Sequence, residues 1–278
     1  MRLFWIVVLT AWLPRAASAQ SLDTTFDSNG VPIRYVMSGT GEPIVLIHGW
    51  SASAEMWDPI RAELSNRYRV IAMDCRGHGR SGKPHEPGAY GIEMVNDVVR
   101  LLDHLHIQRA HVAGYSMGGS IALKLLETHP DRLLSVVSGA SPGFRPKDDR
   151  WDSLVVKKLV AGMPLSQAMI EGAPPGTPVP SAGQRAMMSG RDATQDSRAL
   201  GAQRLGNPGL YVDYTLFKNN RVPVLLIVGG NDGPDRFADL RAALPNATFL
   251  VIPGAGHGSA VDRPEFLQAL RSFFDRHR

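Results

Sequence analysis

Cysteine is almost absent from this chain of 278 residues, which contains only Cys75. A single thiol cannot form an internal disulfide, so the core must be stabilised by the burial of apolar side chains. Cys75 follows an apolar run, and this position favours a buried, inert thiol over a reactive one. Hydrophobic residues make up 44% of the chain and charged residues 20%, which is typical of a folded globular protein.

Motifs for a metal ion or a nucleotide are also missing. The chain has neither an H-E-x-x-H sequence nor a cysteine pair, so we predict no metal site. Residues Gly77–Gly82 match the nucleotide-binding pattern G-x-G-x-x-G, but the segment Lys83–Gly88 that follows contains two prolines. Such a segment cannot begin the helix that would hold a pyrophosphate, and we therefore expect no cofactor.

The excess of positive charge is small. The formal charge is +4, and the basic residues are scattered, with Lys157-Lys158 as the only lysine pair. A solvated surface accounts for this distribution better than a nucleic-acid site does. We predict a small-molecule substrate and no nucleic-acid partner, and the sequence contains no indication of an oligomeric state.

The N-terminus has the composition of an export signal. The basic start Met1-Arg2 precedes an apolar run from Leu3 to Leu13 and the small residues Ala17-Ser18-Ala19. This is the layout of a cleaved secretory signal peptide over residues 1–19, and we expect a secreted or periplasmic protein. An uncleaved anchor at the membrane surface is the alternative. No later segment is apolar enough to span a membrane, so we expect a soluble mature protein without a membrane partner.

Short apolar runs alternate with amphipathic segments from residue 24 onward. Residues 24–28 and 33–38 flank Asn29-Gly30, a favoured hairpin turn. Further strands are predicted at 44–47, 69–74, 110–113, 133–137, 222–228 and 248–252, with helices at 95–105, 120–127 and 264–276. Strands separated by helices indicate an α/β fold with a mostly parallel sheet of eight strands, covered by helices on both faces.

Residues 142–208 break this alternation. They contain no strand pattern, a proline-rich stretch at 173–180, and four methionines at 163, 169, 187 and 188. We predict a helical cap inserted after the sixth strand, and a long disordered insertion is the alternative. The core domain would then consist of residues 20–141 and 209–278.

The central motif is Gly114-Tyr115-Ser116-Met117-Gly118. It lies between a predicted strand and a predicted helix, the context of a nucleophile elbow. Glycines flank the serine because the sharp turn leaves no room for side chains. The helix that follows would direct its N-terminal amides at the serine and so favour an oxyanion. We predict Ser116 as a nucleophile.

A serine hydroxyl needs a base and an acid that orients the base. His257 is the predicted base, because it directly follows the last strand in Gly254-Ala255-Gly256-His257-Gly258. Asp232 follows the preceding strand and is the predicted acid, with Asp235 as the runner-up. An acid could also follow the strand before that one, but the loop at 138–141 contains no carboxylate.

Two backbone amides are expected to form the oxyanion hole. One is the N–H of Met117, the residue after the nucleophile. The other is the N–H of Trp50, in the loop His48-Gly49-Trp50 that follows an early aliphatic strand.

These motifs together resemble the α/β-hydrolase superfamily over residues 24–278. The chain order Ser116, Asp232, His257 matches that family, and residues Asp74–Ser81 resemble its D-x-R-G-x-G-x-S loop. The resemblance implies the α/β-hydrolase fold and a cap after the sixth strand, and it implies a structural role for Arg76 and His78. Dehalogenases and epoxide hydrolases of this fold have an aspartate as nucleophile, so a serine argues against both.

The expected function is hydrolysis of a small or medium, fairly apolar carboxylic ester or lactone through an acyl-enzyme. Alternatives within the fold are a carbon–carbon bond hydrolase, a proline-type aminopeptidase and a perhydrolase. An alternative of another class is a non-catalytic ligand-binding protein that retains the fold.

Overall fold

The computed structural model describes residues 21–146, 153–172 and 181–278. The predicted export signal at residues 1–19 and the proline-rich stretch at 173–180 lie outside these described residues. Within the described part, no helix has the length and hydropathy needed to cross a bilayer.

One sheet of eight strands forms the centre of the molecule, in the spatial order β1-β2-β4-β3-β5-β6-β7-β8. The strands are β1 Leu22–Ser28, β2 Val31–Ser38, β3 Glu42–Ile47, β4 Tyr68–Met73, β5 Ala110–Tyr115, β6 Leu133–Gly139, β7 Val224–Gly229 and β8 Thr248–Ile252. Strand β2 pairs antiparallel with β1 and β4, and the pairs from β4 to β8 are parallel. The predicted fold class is confirmed.

The predicted hairpin joins β1 and β2. Asn29 and Gly30 have φ angles of 56° and 82°, as a tight turn between twisted strands requires. The turn therefore sets the pairing of Ser28 with Val31 at the end of the hairpin.

Helices cover both faces of the sheet. They are α1 Asp58–Leu64, α2 Ile92–His104, α3 Met117–Thr128, α8 Ala238–Ala243 and α9 Pro264–Arg276. Helices α2, α3 and α8 pack on the core that contains Val45 and Ile47, whereas α1 and α9 pack on the core that contains Ile44 and Leu46. Successive residues of β3 thus point to opposite faces and are buried on both, which explains why the parallel strands are continuously aliphatic.

In the described residues between β6 and β7 there are four further helices: α4 Ser153–Val160, α5 Leu165–Glu171, α6 Ala182–Asp192 and α7 Ser197–Gly206. The expected helical insertion after the sixth strand is confirmed. Apolar residues of α4, α5 and α7 form a small core of their own, against which Trp50 of the main domain packs. The predicted domain limits of this insertion stay a prediction.

Candidate active site

Ser116 lies in the sharp turn between β5 and α3. Its φ of 54° is in the left-handed half of backbone space, and together with its ψ of −113° it lies outside the favoured regions, which costs energy for a residue with a side chain. Steric limits explain the flanking glycines: a Cβ on Gly114 would lie 1.9 Å from the carbonyl oxygen of Gly118, and one on Gly118 would lie 2.1 Å from that of Ile47. The turn therefore presents the serine at the carboxyl end of the sheet, at the N-terminus of α3.

The structure brings Ser116, His257 and Asp232 together. His257 lies in the loop after β8, and its Nε2 accepts a hydrogen bond from the Ser116 hydroxyl at 2.9 Å. Its Nδ1 donates to Oδ2 of Asp232 at 2.8 Å. Asp232 lies in the loop after β7, and its side chain is 12% exposed, against 51% for His257. The three side chains form one continuous hydrogen-bonded chain at the end of three strands.

Asp232 is held in place by its surroundings. Its backbone N–H donates to the carbonyl of Gly229 at 2.9 Å, and the Arg236 guanidinium contacts Oδ1 at 3.2 Å. One carboxylate oxygen is thus directed at the imidazole and the other at Arg236. Asp235, the runner-up acid, is exposed in the turn that follows.

Tyr115 adds a contact that sequence reasoning missed. Its hydroxyl donates to the backbone carbonyl of His257 at 2.6 Å, and its ring packs edge-on against Phe266. Burial raises the pKa of Tyr115 well above its ordinary value, so the hydroxyl stays protonated and available as a donor. The residue next to the serine therefore anchors the loop that carries the imidazole. The sequence contained no signal for this bond, because the predicted strand ended at residue 113, whereas β5 extends to Tyr115.

The two predicted oxyanion donors lie in two segments, Met117 at the turn of Ser116 and Trp50 in the loop after β3. Met117 is the first residue of α3, where backbone N–H groups have no intrahelical acceptor. The loop that carries Trp50 lies close to Ser116: a Cβ added to Gly49 would be 3.5 Å from the Cβ of Ser116. His48 orders this loop: its Nε2 accepts from the Cys75 amide at 3.0 Å, and its Nδ1 donates to the Gly49 carbonyl at 2.7 Å.

The loop Asp74–Ser81 is a buried scaffold. Asp74 accepts hydrogen bonds from the backbone N–H groups of Ala54 and Arg80 at 2.7 and 2.8 Å. Arg76 makes two bonds of 2.7 and 2.6 Å to the carboxylate of Asp97. These groups are used within the fold, in agreement with the structural role that the resemblance implies.

Two cavities meet at Ser116 and His257. The first has a volume of about 750 Å³ and is lined in part by Trp50, Met56, Leu165 and Met169. The second has a volume of about 480 Å³ and extends along the N-terminus of α3 and the loop after β6. Trp50 and Arg204 line both, so the two cavities are neighbouring parts of one site. No group of metal-ligating side chains occurs among the residues that the structure describes.

Comparisons with known proteins agree with this architecture. Residues 44–269 match the model of the alpha/beta hydrolase family. The chain is 30% identical over 268 residues to the dihydrolipoyllysine-residue acetyltransferase component of the acetoin cleaving system of Cupriavidus necator, which covers 88% of this chain. The chain spans only 66% of that protein, slightly less than two thirds.

The chain spans nearly the whole length of two further relatives. The 2-hydroxy-6-oxo-6-(2'-aminophenyl)hexa-2,4-dienoic acid hydrolase of Metapseudomonas resinovorans is 29% identical over 283 residues, covering 90% of each chain. The crystal structure of the enol-lactonase from Burkholderia xenovorans LB400 superposes with a TM-score of 0.75 at 25% identity, over 90% of this chain and 99% of that one.

Proposed function

The chain belongs to the alpha/beta hydrolase family, and from this premise we propose that it is a serine hydrolase that cleaves a carboxylic ester or lactone through an acyl-enzyme on Ser116. The observation that carries the proposal is the hydrogen-bonded chain from Ser116 through His257 to Asp232, at the point where two cavities meet. Hydrolysis as the general reaction class agrees with the named activities of the relatives.

Acylation follows from this geometry. His257 Nε2 takes the hydroxyl proton as Ser116 Oγ attacks the substrate carbonyl, and Asp232 stabilises the imidazolium that results. The negative charge that develops on the carbonyl oxygen is stabilised by the N–H groups of Met117 and Trp50. His257 then gives its proton to the leaving oxygen, which departs as the alcohol and leaves the acyl group on Ser116.

Deacylation uses the same groups in reverse order. A water molecule in the cavity loses a proton to His257 and attacks the ester carbon of the acyl-enzyme. The carboxylic acid is released as the proton returns to Ser116 Oγ. In a lactone the alcohol stays attached to the acid, so the product is one hydroxy acid.

The lining of the first cavity supports a substrate with an apolar portion. Trp50, Met56 and Val261 come from the main domain, and Leu165 and Met169 come from α5 of the insertion. Thioethers and aliphatic side chains adapt to different apolar groups. We propose that the inserted helices act as a cap that covers the substrate on this side.

An active-serine fluorophosphonate probe tests the proposed nucleophile. The folded protein should be labelled, and Ser116→Ala should abolish both the labelling and the hydrolysis of p-nitrophenyl butyrate. Ser65→Ala is the control, because Ser65 bonds only locally to the Ala62 carbonyl and lines neither cavity. A folded wild-type protein that the probe does not label, or labelling that persists in Ser116→Ala, would refute the proposal.

Carbon–carbon bond hydrolysis is a second candidate. It is favoured by the likeness to the dienoic acid hydrolase over 90% of each chain. A vinylogous 1,5-diketone assayed beside the esters and lactones separates the two, because an esterase leaves the diketone intact over many ester turnovers.

A further inference from the structure

The second cavity contains an unusual concentration of positive charge. Its described lining includes Arg145, Arg204 and Arg236 and no aspartate or glutamate. The hydroxyl groups of Ser120 and Ser141 also line it and lie 2.8 Å from each other. Ser116 and His257 form the other end of the same cavity. A ligand in this space therefore meets cations and hydroxyl donors within a few atoms of the reacting serine.

The three arginines come from different elements and converge. Arg145 follows β6, is ion-paired to Asp239 at 2.6 Å and lies over the ring of Tyr214. Arg236 follows β7 and contacts Asp232, as described above. Arg204 projects from α7 of the insertion. Contacts with aromatic rings and carboxylates hold these long side chains in position. The arginines therefore lose less side-chain entropy when a ligand binds.

Arg204 has the most direct relation to the reacting groups. Its guanidinium carbon lies 4.3 Å from the ring centre of Trp50, the residue whose N–H is the proposed oxyanion donor. It also lines both cavities and so stands at their junction. The planar fork of N–H groups in a guanidinium matches the two oxygens of a carboxylate.

We propose that the second cavity is an anion subsite and that the substrate is an ester or lactone bearing a carboxylate, which Arg204 binds together with Arg145 and Arg236. This rests on the proposed function of Ser116 and narrows its substrate class. The cavity of about 480 Å³ is also lined by Met117, Pro142 and Phe144, so it fits an organic acid better than free phosphate. An apolar portion of the same substrate occupies the first cavity.

Matched pairs of substrates that differ only in charge test the proposal. Mono-p-nitrophenyl adipate has a carboxylate on the acyl chain, and its methyl ester is the neutral twin. 4-Acetoxybenzoate has the carboxylate on the alcohol side, with its methyl ester as the twin. A charge-assisted contact predicts that kcat/KM favours the anion about tenfold to hundredfold in at least one pair. The preference should decrease as the salt concentration rises.

Substitutions of arginine assign this preference to the subsite. Arg204→Gln should remove most of the preference for the anion, so that kcat/KM falls about tenfold more for the anion than for its neutral twin. Arg204→Lys should retain part of it, because the charge remains while the planar fork is lost. Arg198→Gln is the matched control: Arg198 is on the same helix, is exposed and lines neither cavity. Equal losses for both twins in Arg204→Gln would contradict the proposal.

A binding measurement keeps this test independent of catalysis. Calorimetry with the Ser116→Ala protein should detect adipate and should find it bound at least tenfold more tightly than adipamide, and Arg204→Gln should abolish the difference. If wild type cleaves neutral esters while neither kinetics nor binding favours the anion, the anion subsite is refuted and the serine hydrolase stands. If adipate binds through Arg204 but no ester is cleaved, the proposed function fails and the subsite stands.

Discussion

Substitution of Asp232 by asparagine is the sharpest test of the hydrogen-bonded chain at Ser116. The carboxylate accepts the Nδ1 proton of His257 at 2.8 Å and so leaves Nε2 unprotonated, facing the Ser116 hydroxyl. An asparagine amide can donate to Nδ1 instead, which places the imidazole proton on Nε2. The base is then in the wrong tautomer to accept a proton from the serine.

The magnitude follows from the exposure of the two partners. In a buried triad this change lowers kcat by about 10⁴-fold. Here the His257 side chain is 51% exposed, so water can stabilise the productive tautomer for part of the time. We therefore expect a loss of about 10³- to 10⁴-fold in kcat, which corresponds to about 4.1–5.4 kcal/mol of transition-state stabilisation. KM should change little, because the carboxylate lines neither cavity.

Burst and steady-state hydrolysis of p-nitrophenyl butyrate measure this loss, with the rate of fluorophosphonate labelling as a second readout. Asp235→Asn is the matched control and should stay within twofold of wild type, because Asp235 is exposed and lies beyond the turn. The reasoning is refuted if Asp235→Asn loses more activity than Asp232→Asn, or if Asp232→Asn stays within tenfold of wild type.

Two further predictions concern groups behind the site. Tyr115→Phe removes the 2.6 Å hydrogen bond to the His257 carbonyl. It should lower kcat about tenfold and the free energy of unfolding by about 1 kcal/mol. A loss of stability without a loss in kcat would make Tyr115 purely structural. Burial lowers the pKa of His78 from 6.5 to about 3, so the unfolded chain alone binds a proton as the pH falls through that window. In urea titrations from pH 6.5 to pH 5, the wild type should therefore lose about 2 kcal/mol more stability than His78→Asn does, and an equally steep decrease in both proteins would contradict this assignment.

The sheet was predictable from the sequence because its strands are aliphatic runs that end at turn residues. Strand β8 and helix α9 begin and end where the pattern predicts, at Thr248–Ile252 and Pro264–Arg276. The short helices α1 and α8 were missed, because six or seven residues show too few turns for a periodic pattern. Helix α3 begins at Met117 rather than at residue 120, because Gly118 lets the helix pack directly on the end of β3.

The positions of Ser116, Asp232 and His257 were predictable because each follows a strand, and parallel strands bring their carboxyl ends to one edge. The contacts of Tyr115 and Arg204 were not predictable from the sequence. The Tyr115 hydroxyl reaches a residue 142 positions away, and Arg204 reaches Trp50 from an insertion whose placement depends on packing rather than on local pattern. Local motifs thus located the three residues of the proposed triad, whereas the residues that hold them in place and line the cavities are positioned by tertiary contacts.

A second chain of serine, histidine and carboxylate lies at the opposite edge of the same sheet. His111 Nδ1 is 2.7 Å from the Ser135 hydroxyl, and its Nε2 is 3.1 Å from the Glu42 carboxylate. Ser135 and His111 are fully buried on paired strands, and burial lowers the pKa of His111. No substrate can reach that serine, and its extended strand directs no helix N-terminus at it.

The contrast between the two chains shows which features distinguish Ser116, the proposed nucleophile, from Ser135. Both contain a serine, a histidine and an acid in hydrogen-bond contact, so the three residue types are not sufficient. Ser116 differs in its left-handed backbone, its position at the start of α3 and its place at the junction of two cavities. These properties follow from the glycines at 114 and 118, where any side chain would collide with backbone. The turn, more than the three residue types, is therefore the feature that distinguishes the proposed active site from the buried chain at the other edge of the sheet.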